Sequence, residues 1–229
     1  MKPYLYLLLD FLTILFPFLF SFYPKANFSK KWKYLWIAIL IPGIIFLLWD
    51  EAFTQLNVWG FNAEYLSGIY LKSLPLEEVL FFVCIPYACV FTYEALNYLI
   101  PKDYVAPYRR TVSVALIIGS VVLAAFNTDK WYTVTTFAGL AVYIGLLEFV
   151  FNATFLSRFY FAYIFILVPF FIVNGILTGS FIEGEVVWYN NAENLGIRMG
   201  TIPVEDTFYG MLLLVMNVSL FEWLQRKKD

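Results

Sequence analysis

Histidine is missing from the 229-residue sequence, and cysteine occurs only twice. Histidine is the commonest metal ligand and the usual general base near neutral pH, so its absence leaves carboxylates as the natural groups for proton transfer. Cys84 and Cys89 lie in one apolar run. On a helix their side chains would point about 140° apart, which prevents a disulfide between them. We interpret both cysteines as packing residues.

Charged residues are also scarce. They make up 14% of the chain, whereas hydrophobic residues make up 62% and aromatic residues 21%. Such a chain has too little polar surface to coat a soluble globule of its size. The net charge of −2 and the lack of a long basic stripe argue against a nucleic-acid partner. We therefore predict an all-α integral membrane protein, in contact with membrane lipid.

Seven apolar runs are long enough, at about 17 to 25 residues, to span the hydrocarbon layer as helices. The first run begins directly after Lys2 and contains no small-residue cleavage site, so we expect a retained anchor and not a signal peptide. The predicted spans are residues 3–23, 34–53, 76–99, 111–127, 131–151, 159–179 and 204–224.

Loops on one side of the predicted helices carry most of the positive charge, and such loops stay in the cytoplasm. On that side are Lys25, Lys30, Lys31, Lys33, Lys102, Arg109, Arg110, Arg158, Arg226, Lys227 and Lys228. On the other side are Lys2, Lys72, Lys130 and Arg198. We expect a bacterial or archaeal-type cell membrane, with the N-terminus outside and the C-terminus in the cytoplasm.

Two adjacent acidic residues open the third apolar run, in the sequence Leu-Pro-Leu-Glu-Glu-Val-Leu-Phe-Phe over residues 74–82. Proline and glutamate both suit the first turn of a helix, so helix capping alone would explain one such pair. A second copy, Ile-Pro-Val-Glu-Asp, opens the seventh run and aligns Glu77 with Glu205 and Glu78 with Asp206. Ionisable groups in a membrane are costly, so two copies at equivalent helix ends favour a functional site.

The duplication extends beyond the acidic motifs. Asp50 near the end of the second run corresponds to Asn174 in the sixth, and the loop that begins at Trp59 corresponds to the loop that begins at Trp188. An offset of four helices preserves direction, so we predict two parallel three-helix repeats, related by an axis along the membrane normal, with a cavity between them. The predicted units are a first repeat over residues 1–110, a linker helix over 111–130 and a second repeat over 131–229.

Helix geometry separates the two acids of each motif, because neighbouring residues differ by about 100° around the axis. We expect only one acid of each pair to point into the cavity. A carboxyl group among aromatic rings, with few hydrogen-bond donors, can stay protonated and act as an acid. The candidate proton-transfer residues are Glu77, Glu78, Asp50, Glu205 and Asp206. The sequence leaves open which of them is the acid and which the base.

Aromatic and amide side chains beside these acids are candidates for contact with a substrate, because an aromatic face stabilises a cation. These candidates are Trp49, Phe81, Phe82, Asn174, Phe208 and Tyr209. Glu94 and Glu222 lie about 24 Å along the helices from the motifs and are expected to pair with basic residues of the inner loops. Asp10 and Glu148 are expected to make polar contacts within the bundle.

Several familiar site patterns do not occur in this sequence. There is no Gly-x-Gly-x-x-Gly fingerprint for a dinucleotide. The last helix has no lysine before Lys227, which lies past its predicted end, so a retinal Schiff base is disfavoured. No pair of Asp-x-x-x-Asp motifs is present to hold magnesium diphosphate. We therefore expect neither a metal nor a cofactor, and favour acid–base chemistry on an apolar substrate.

Taken together, the doubled Pro-x-Glu-Glu/Asp motif, Trp49-Asp50, Asn174, Tyr93-Glu94 and Phe221-Glu222 resemble the membrane-integral lycopene cyclases. In that family two homologous three-helix units act together, and this sequence is similar to the fused form. One departure is Gly210, which stands where the first motif has Phe82. The resemblance implies a lipid-soluble carotenoid substrate, whose linear ends are converted to β-ionone rings without net redox change. It also implies proton donation by Glu77 or Glu78 and proton removal by Asp50, Glu205 or Asp206.

Two other functions are compatible with the pattern. A small-solute or proton-coupled transporter also has repeats with intramembrane acids, but would hold them near the membrane midplane. A non-catalytic partner subunit of a carotenoid-modifying complex would be inactive alone. The sequence is equally compatible with a homo-oligomer and with association with other carotenoid enzymes.

Overall fold

The computed structural model describes residues 2–226, and within them seven helices are long and apolar enough to cross a membrane. Lys227 and Lys228, which the charge count above assigns to the inner side, lie outside the described residues. The helices are α1 (Leu5–Phe20), α2 (Trp32–Gln55), α3 (Leu76–Leu99), α4 (Arg109–Phe126), α5 (Trp131–Gly145, continued by a π-helical turn Leu146–Val150), α6 (Leu156–Leu177) and α7 (Val204–Arg226).

The prediction of a seven-helix membrane protein is confirmed, and the spans differ from the predicted ones mainly at their ends. Short 3-10 turns at Phe28–Lys31 and Ala106–Tyr108 precede α2 and α4. These turns extend the second and fourth candidate spans to residues 28–55 and 106–126. Sequence patterns place helix ends poorly because such turns carry no apolar periodicity of their own.

Six short strands lie in the two loops that follow α2 and α6. They are β1 (Trp59–Phe61), β2 (Tyr70–Leu71), β3 (Leu74–Pro75), β4 (Val187–Tyr189), β5 (Arg198–Met199) and β6 (Ile202–Pro203). Strands β2 and β3 form a small antiparallel hairpin, and β5 and β6 form the corresponding one. Each hairpin leads directly into an acidic helix, α3 or α7. The order of elements from α1 to α3 is thus repeated from α5 to α7.

Strands β1 and β4 pair with each other across the two repeats. Their register joins Trp59 to Tyr189 and Gly60 to Trp188. Trp59 and Trp188 occupy equivalent positions, so the pairing is the one expected for two loops related by a local two-fold axis. A side chain at Gly60 would collide with the Trp188 ring at 2.4 Å, which explains the glycine at this crossing.

Helices α2, α3, α6 and α7 supply most of the main apolar core. In the most apolar stretch of α7 half of the residues are buried, whereas in that of α4 only 11% are buried. Helix α7 therefore lies centrally and α4 at the periphery. Many large apolar side chains remain exposed, among them Phe16, Leu48 and Phe126. Exposed residues of this kind are expected where helices face lipid.

Candidate functional site

A cavity of about 670 Å³ lies between α1 and α3 of the first repeat and α6 and α7 of the second. Its walls are mostly apolar along these helices, from Phe81 to Cys89 on α3 and from Tyr209 to Leu214 on α7. Carboxyl groups are gathered at the end where α3 and α7 begin. They belong to Asp50, Glu78 and Asp206.

The first acid of each motif does not line this cavity. Glu77 is fully buried and accepts a hydrogen bond from the backbone N–H of Ser67 at 2.6 Å. Glu205 is likewise fully buried and accepts from the backbone N–H of Leu195 at 2.7 Å, and from the Thr133 hydroxyl at 2.6 Å. Both carboxylates therefore tie the preceding loop to the first turn of the helix.

The second acid of each motif does line the cavity, and each accepts a hydrogen bond from a tyrosine on the first helix of its own repeat. Tyr6 donates to Glu78 at 2.5 Å, and Tyr132 donates to Asp206 at 2.6 Å. Asp206 accepts a further hydrogen bond on its other oxygen, from Tyr189 at 2.9 Å. The two equivalent carboxyls thus differ in the number of their donors.

Tyr189 lies in the loop between α6 and α7, outside the membrane-spanning segments. Burial, together with the neighbouring Asp206 carboxyl, raises the pKa of the Tyr189 hydroxyl well above its usual value. Tyr189 therefore remains a hydroxyl donor over the physiological pH range.

Asp50 reaches the cavity from the last third of α2. It accepts a hydrogen bond from the indole N–H of Trp59 at 2.5 Å, and its other oxygen is buried without a partner among residues 2–226. Its equivalent Asn174 also lines the cavity, and the Asn174 amide donates to the Phe170 carbonyl of its own helix at 3.3 Å. The equivalent positions thus both face the cavity, but with different chemical groups.

The aromatic candidates divide into two groups. Phe81 and Tyr209 line the cavity. The other three pack elsewhere: Trp49 against Tyr209, with ring centroids 5.1 Å apart; Phe82 against Phe46, at 6.2 Å; and Phe208 against Phe137, at 4.9 Å. Consecutive helix positions point in different directions, which is why only one ring of each adjacent pair reaches the cavity.

Four cavity residues that donate hydrogen bonds to the carboxyl groups of the cavity were not among the sequence candidates: Tyr6, Trp59, Tyr132 and Tyr189. The repeat offers a signal for the two helix tyrosines, because Tyr6 and Tyr132 each occupy the start of the first helix of a repeat. Trp59 belongs to the repeated loop already noted in the sequence. Its contact with Asp50, nine residues away in the chain, depends on how that loop folds back over α2.

Three of the four other acidic residues singled out in the sequence have partners at the opposite end of the bundle. Glu94 pairs with Lys31, and Glu222 accepts a hydrogen bond from Tyr93 at 2.7 Å. Glu148 pairs with Arg109 at 3.0 Å, as expected for a contact within the bundle. Asp10 is buried on α1 and borders a second, smaller cavity, but its Oδ2 atom has no hydrogen-bond partner among residues 2–226, unlike the polar contact expected from the sequence. Among residues 2–226 no group of three or more cysteine, aspartate or glutamate side chains is arranged to hold a metal ion.

Comparison with known families identifies the repeat unit. The family model described as Lycopene cyclase matches the chain twice, over residues 3–96 and over residues 129–224. Searches of curated proteins and of solved structures gave no match. The two matched regions together cover most of the chain and each contains one acidic motif, so the chain belongs to the lycopene cyclase family, a family of carotenoid-cyclising enzymes.

Proposed function

We propose that this chain is a lycopene β-cyclase, which converts lycopene through γ-carotene to β-carotene by a proton-initiated, redox-neutral isomerisation within the membrane. The observation that carries the proposal is the cavity itself. It is apolar along its length, as a linear polyene requires, and it holds three carboxyl groups at one end, contributed by both repeats. A proton-coupled transporter would be expected to hold such groups near the membrane midplane.

Glu78 is the proposed acid. It is the most accessible of the three carboxyls, with 8% of its surface exposed against 5% for Asp206 and 2% for Asp50. Only one of its oxygens accepts a hydrogen bond from a described residue, which leaves the other free to face the substrate. Asp50 and Glu78 both line the acidic end of the cavity. Two neighbouring buried carboxyls cannot both carry charge cheaply, so the pair retains a proton.

Asp206 is the proposed base. Its two oxygens accept hydrogen bonds from Tyr132 and Tyr189, and two donors stabilise the ionised carboxylate. A carboxylate on α7, facing an acid on α3, would let one group donate a proton while the other removes one. The acid and the base would then come from different repeats.

The reaction balances without a redox partner. The carboxyl proton of Glu78 is transferred to the terminal double bond of the polyene, which leaves a tertiary carbocation. The electron pair of the nearby trisubstituted double bond forms the new ring bond, and this moves the positive charge to a ring carbon. Asp206 removes the proton from the neighbouring ring carbon, and the ring double bond forms. One proton is gained and one is lost, and the substrate keeps its composition.

The carbocation must be stabilised and kept from water, which would trap it as an alcohol. The rings of Phe81 and Tyr209 line the cavity beside the acids and offer their faces to a cation. The paired strands β1 and β4 carry Trp59 and Tyr189, which line the same end of the cavity. We infer that this pairing closes the acidic end against the aqueous phase.

The substrate is proposed to enter from the bilayer and not from water. Leu12 and Phe16 of α1 and Ile172 of α6 line the cavity and are also exposed on the outer surface of the bundle. A cavity wall that is shared with the lipid-facing surface favours lateral access between α1 and α6. A carotenoid dissolved in the membrane could then insert one end towards the acids while the rest of its chain stays in lipid.

The other sequence candidates are assigned supporting roles. Glu77 and Glu205 would hold the loops that lead into α3 and α7, and Trp49, Phe82 and Phe208 would pack the helices behind the cavity. Asn174 would contact the substrate without transferring a proton. These assignments follow from which side chains line the cavity and which make contacts elsewhere.

The proposed orientation places the acidic end of the cavity at the outer face, with the N-terminus outside, on the strength of the loop charges. The same face carries the β1–β4 pairing, whereas the opposite face carries the pairs Lys31–Glu94 and Arg109–Glu148. The proposed units are the two repeats, over residues 1–110 and 131–229, with α4 between them as a linker. Labelling of single cysteines in the loops of intact cells would test this orientation.

The direct test is expression in a host that accumulates lycopene, followed by chromatography of the pigments. We expect γ-carotene and β-carotene in the membranes. Unchanged lycopene alongside well-expressed, membrane-inserted protein would contradict the proposal. Products with ε rings would still show that the chain is a cyclase. They would also show that the proton is lost from a different ring carbon, which would contradict the β-cyclase proposal.

A further inference from the structure

The cavity lies between α1, α3, α6 and α7, and aromatic side chains pack together in the matching region between α2, α3 and α7. Gly210 is equivalent to Phe82, because each lies four residues after the second acid of its motif. Val173 is equivalent to Trp49, because Val173 directly precedes Asn174 and Trp49 directly precedes Asp50. Gly210 and Val173 line the cavity. Phe82 and Trp49 are the large residues at the same places in the other repeat.

Phe82 and Trp49 take part in an aromatic cluster. The Phe46 ring lies 6.2 Å from Phe82, 5.4 Å from Trp49 and 4.9 Å from Tyr209, between ring centroids. Phe82 is buried within this cluster, with 2% of its surface exposed. The cluster occupies the space that, by symmetry, would correspond to the cavity.

On the open side the same helix position has no side chain. A Cβ added to Gly210 would lie 3.6 Å from the Phe170 ring and 3.8 Å from the Tyr163 hydroxyl, which is ordinary van der Waals contact. Alanine therefore fits at this position. A phenylalanine ring, like that of Phe82 against Phe46, would extend from Gly210 towards Phe170 and into the cavity.

We propose that Gly210 is the specificity-determining position of the cavity: its missing side chain makes the space that holds the polyene next to its reacting end. The corresponding Phe82, with Trp49, closes the second space, so the fused chain has one reaction cavity and treats one substrate end at a time. This inference rests on the proposed cyclase function. It adds the reason why a duplicated chain binds a single linear substrate.

The test compares Gly210→Phe with Gly210→Ala in the lycopene-accumulating host. Gly210→Phe is expected to lower conversion by about 100-fold or more, because the substrate end can no longer reach the acids. Gly210→Ala is expected to stay within about threefold of the unaltered chain, since its methyl group fits. Gly210→Val and Gly210→Leu should fall between them in order of side-chain volume. This series keeps the test informative if the phenylalanine variant fails to fold.

Gly119→Phe is the matched control. Gly119 is also a helical glycine, but a Cβ there meets nothing within 4 Å, so the same substitution should leave conversion unchanged. The second readout is the amount of carotenoid that copurifies with the folded chain in mild detergent. We expect one molecule per unaltered chain and almost none with Gly210→Phe.

The outcomes separate this inference from the function on which it rests. If the unaltered chain leaves lycopene unchanged, the cyclase proposal fails, whatever Gly210 does. If the unaltered chain forms rings and folded Gly210→Phe does so equally well, the role of Gly210 is wrong while the cyclase function stands. Two bound carotenoids per chain, or an equal loss of activity in Gly119→Phe, would also overturn the inference.

Discussion

The two repeats hold their acidic loops in the same way but give their cavity-facing acids different surroundings. Glu77 and Glu205 each accept a hydrogen bond from a backbone N–H ten residues earlier. Glu78 then accepts from one tyrosine, whereas Asp206 accepts from two. The duplication thus preserved the contacts that position the acids and changed the contacts that set their charge.

The packing behind the acids differs as well. Phe82 and Trp49 fill one side of the bundle, and Gly210 and Val173 leave the other side open. A cavity that only one side possesses can still receive acids from both repeats, because α3 and α7 both border it. The comparison supports our proposal that a fused pair of similar units contains a single asymmetric reaction site.

The largest effect in this comparison is expected from Asp206→Asn. The substitution removes the proposed base and should slow ring formation by about 100- to 10,000-fold, the usual contribution of a general base. Pigment analysis of the lycopene-accumulating host measures it. Glu205→Gln, one position away and outside the cavity, is the matched control and should retain most of the activity. Equal losses in the two variants would contradict the division of roles.

The tyrosine donors are expected to matter unequally. Tyr132→Phe removes one of two hydrogen bonds to an ionised carboxylate, worth about 1.5–3 kcal/mol, and should slow conversion by about 10- to 100-fold. Tyr6→Phe removes a hydrogen bond to a carboxyl that is proposed to be neutral, and should cost about threefold, because a neutral hydrogen bond is weaker. Conversion rates at matched protein levels check this order. A larger loss in Tyr6→Phe would reverse the proposed acid and base.

The loop-holding acids are expected to affect stability more than chemistry. Glu77→Ala leaves the Ser67 N–H without its acceptor and should lower the free energy of unfolding by about 1–3 kcal/mol. Glu205→Ala should cost more, because Leu195 and Thr133 both lose their acceptor. Thermal unfolding in detergent measures both. Glu64→Ala, at an exposed loop position, is the control and should leave unfolding unchanged.

The smallest effect is expected at the position that matches Asp50. Asn174→Ala removes an amide whose hydrogen bond is to a carbonyl of its own helix, and should change conversion by about threefold at most. Asp50→Asn removes a carboxyl from the acidic end and should cost far more. Similar losses in the two variants, measured by product formation, would show that the two positions act as equivalents.

The sequence predicted the features that depend on local pattern. The seven apolar runs of the sequence form seven helices. The two copies of the acidic motif, Glu77–Glu78 and Glu205–Asp206, each lie in one of the two regions matched by the family model. Helix geometry predicted that the acids of a pair would point in different directions. It could not say which acid faces inward, because that depends on how each helix is rotated against its neighbours.

The partners of the acids could not be predicted from local pattern. Tyr6 lies 72 residues from Glu78, and Tyr132 lies 74 residues from Asp206. Such contacts arise from helix packing, and the sequence indicates them only through the matching positions of the two tyrosines at the start of each repeat. We attribute the space for the polyene to the missing side chain at Gly210, and the sequence presented that glycine only as a departure from the first motif.

We propose that Glu78, and not its neighbour Glu77, supplies the proton that starts ring closure. The most direct measurement is the pigment profile of lycopene-accumulating cells that express Glu78→Gln or Glu77→Gln, each checked for membrane-inserted, folded protein. We expect unchanged lycopene with Glu78→Gln and cyclised carotenes with Glu77→Gln. Cyclised carotenes at the normal level with Glu78→Gln would contradict it.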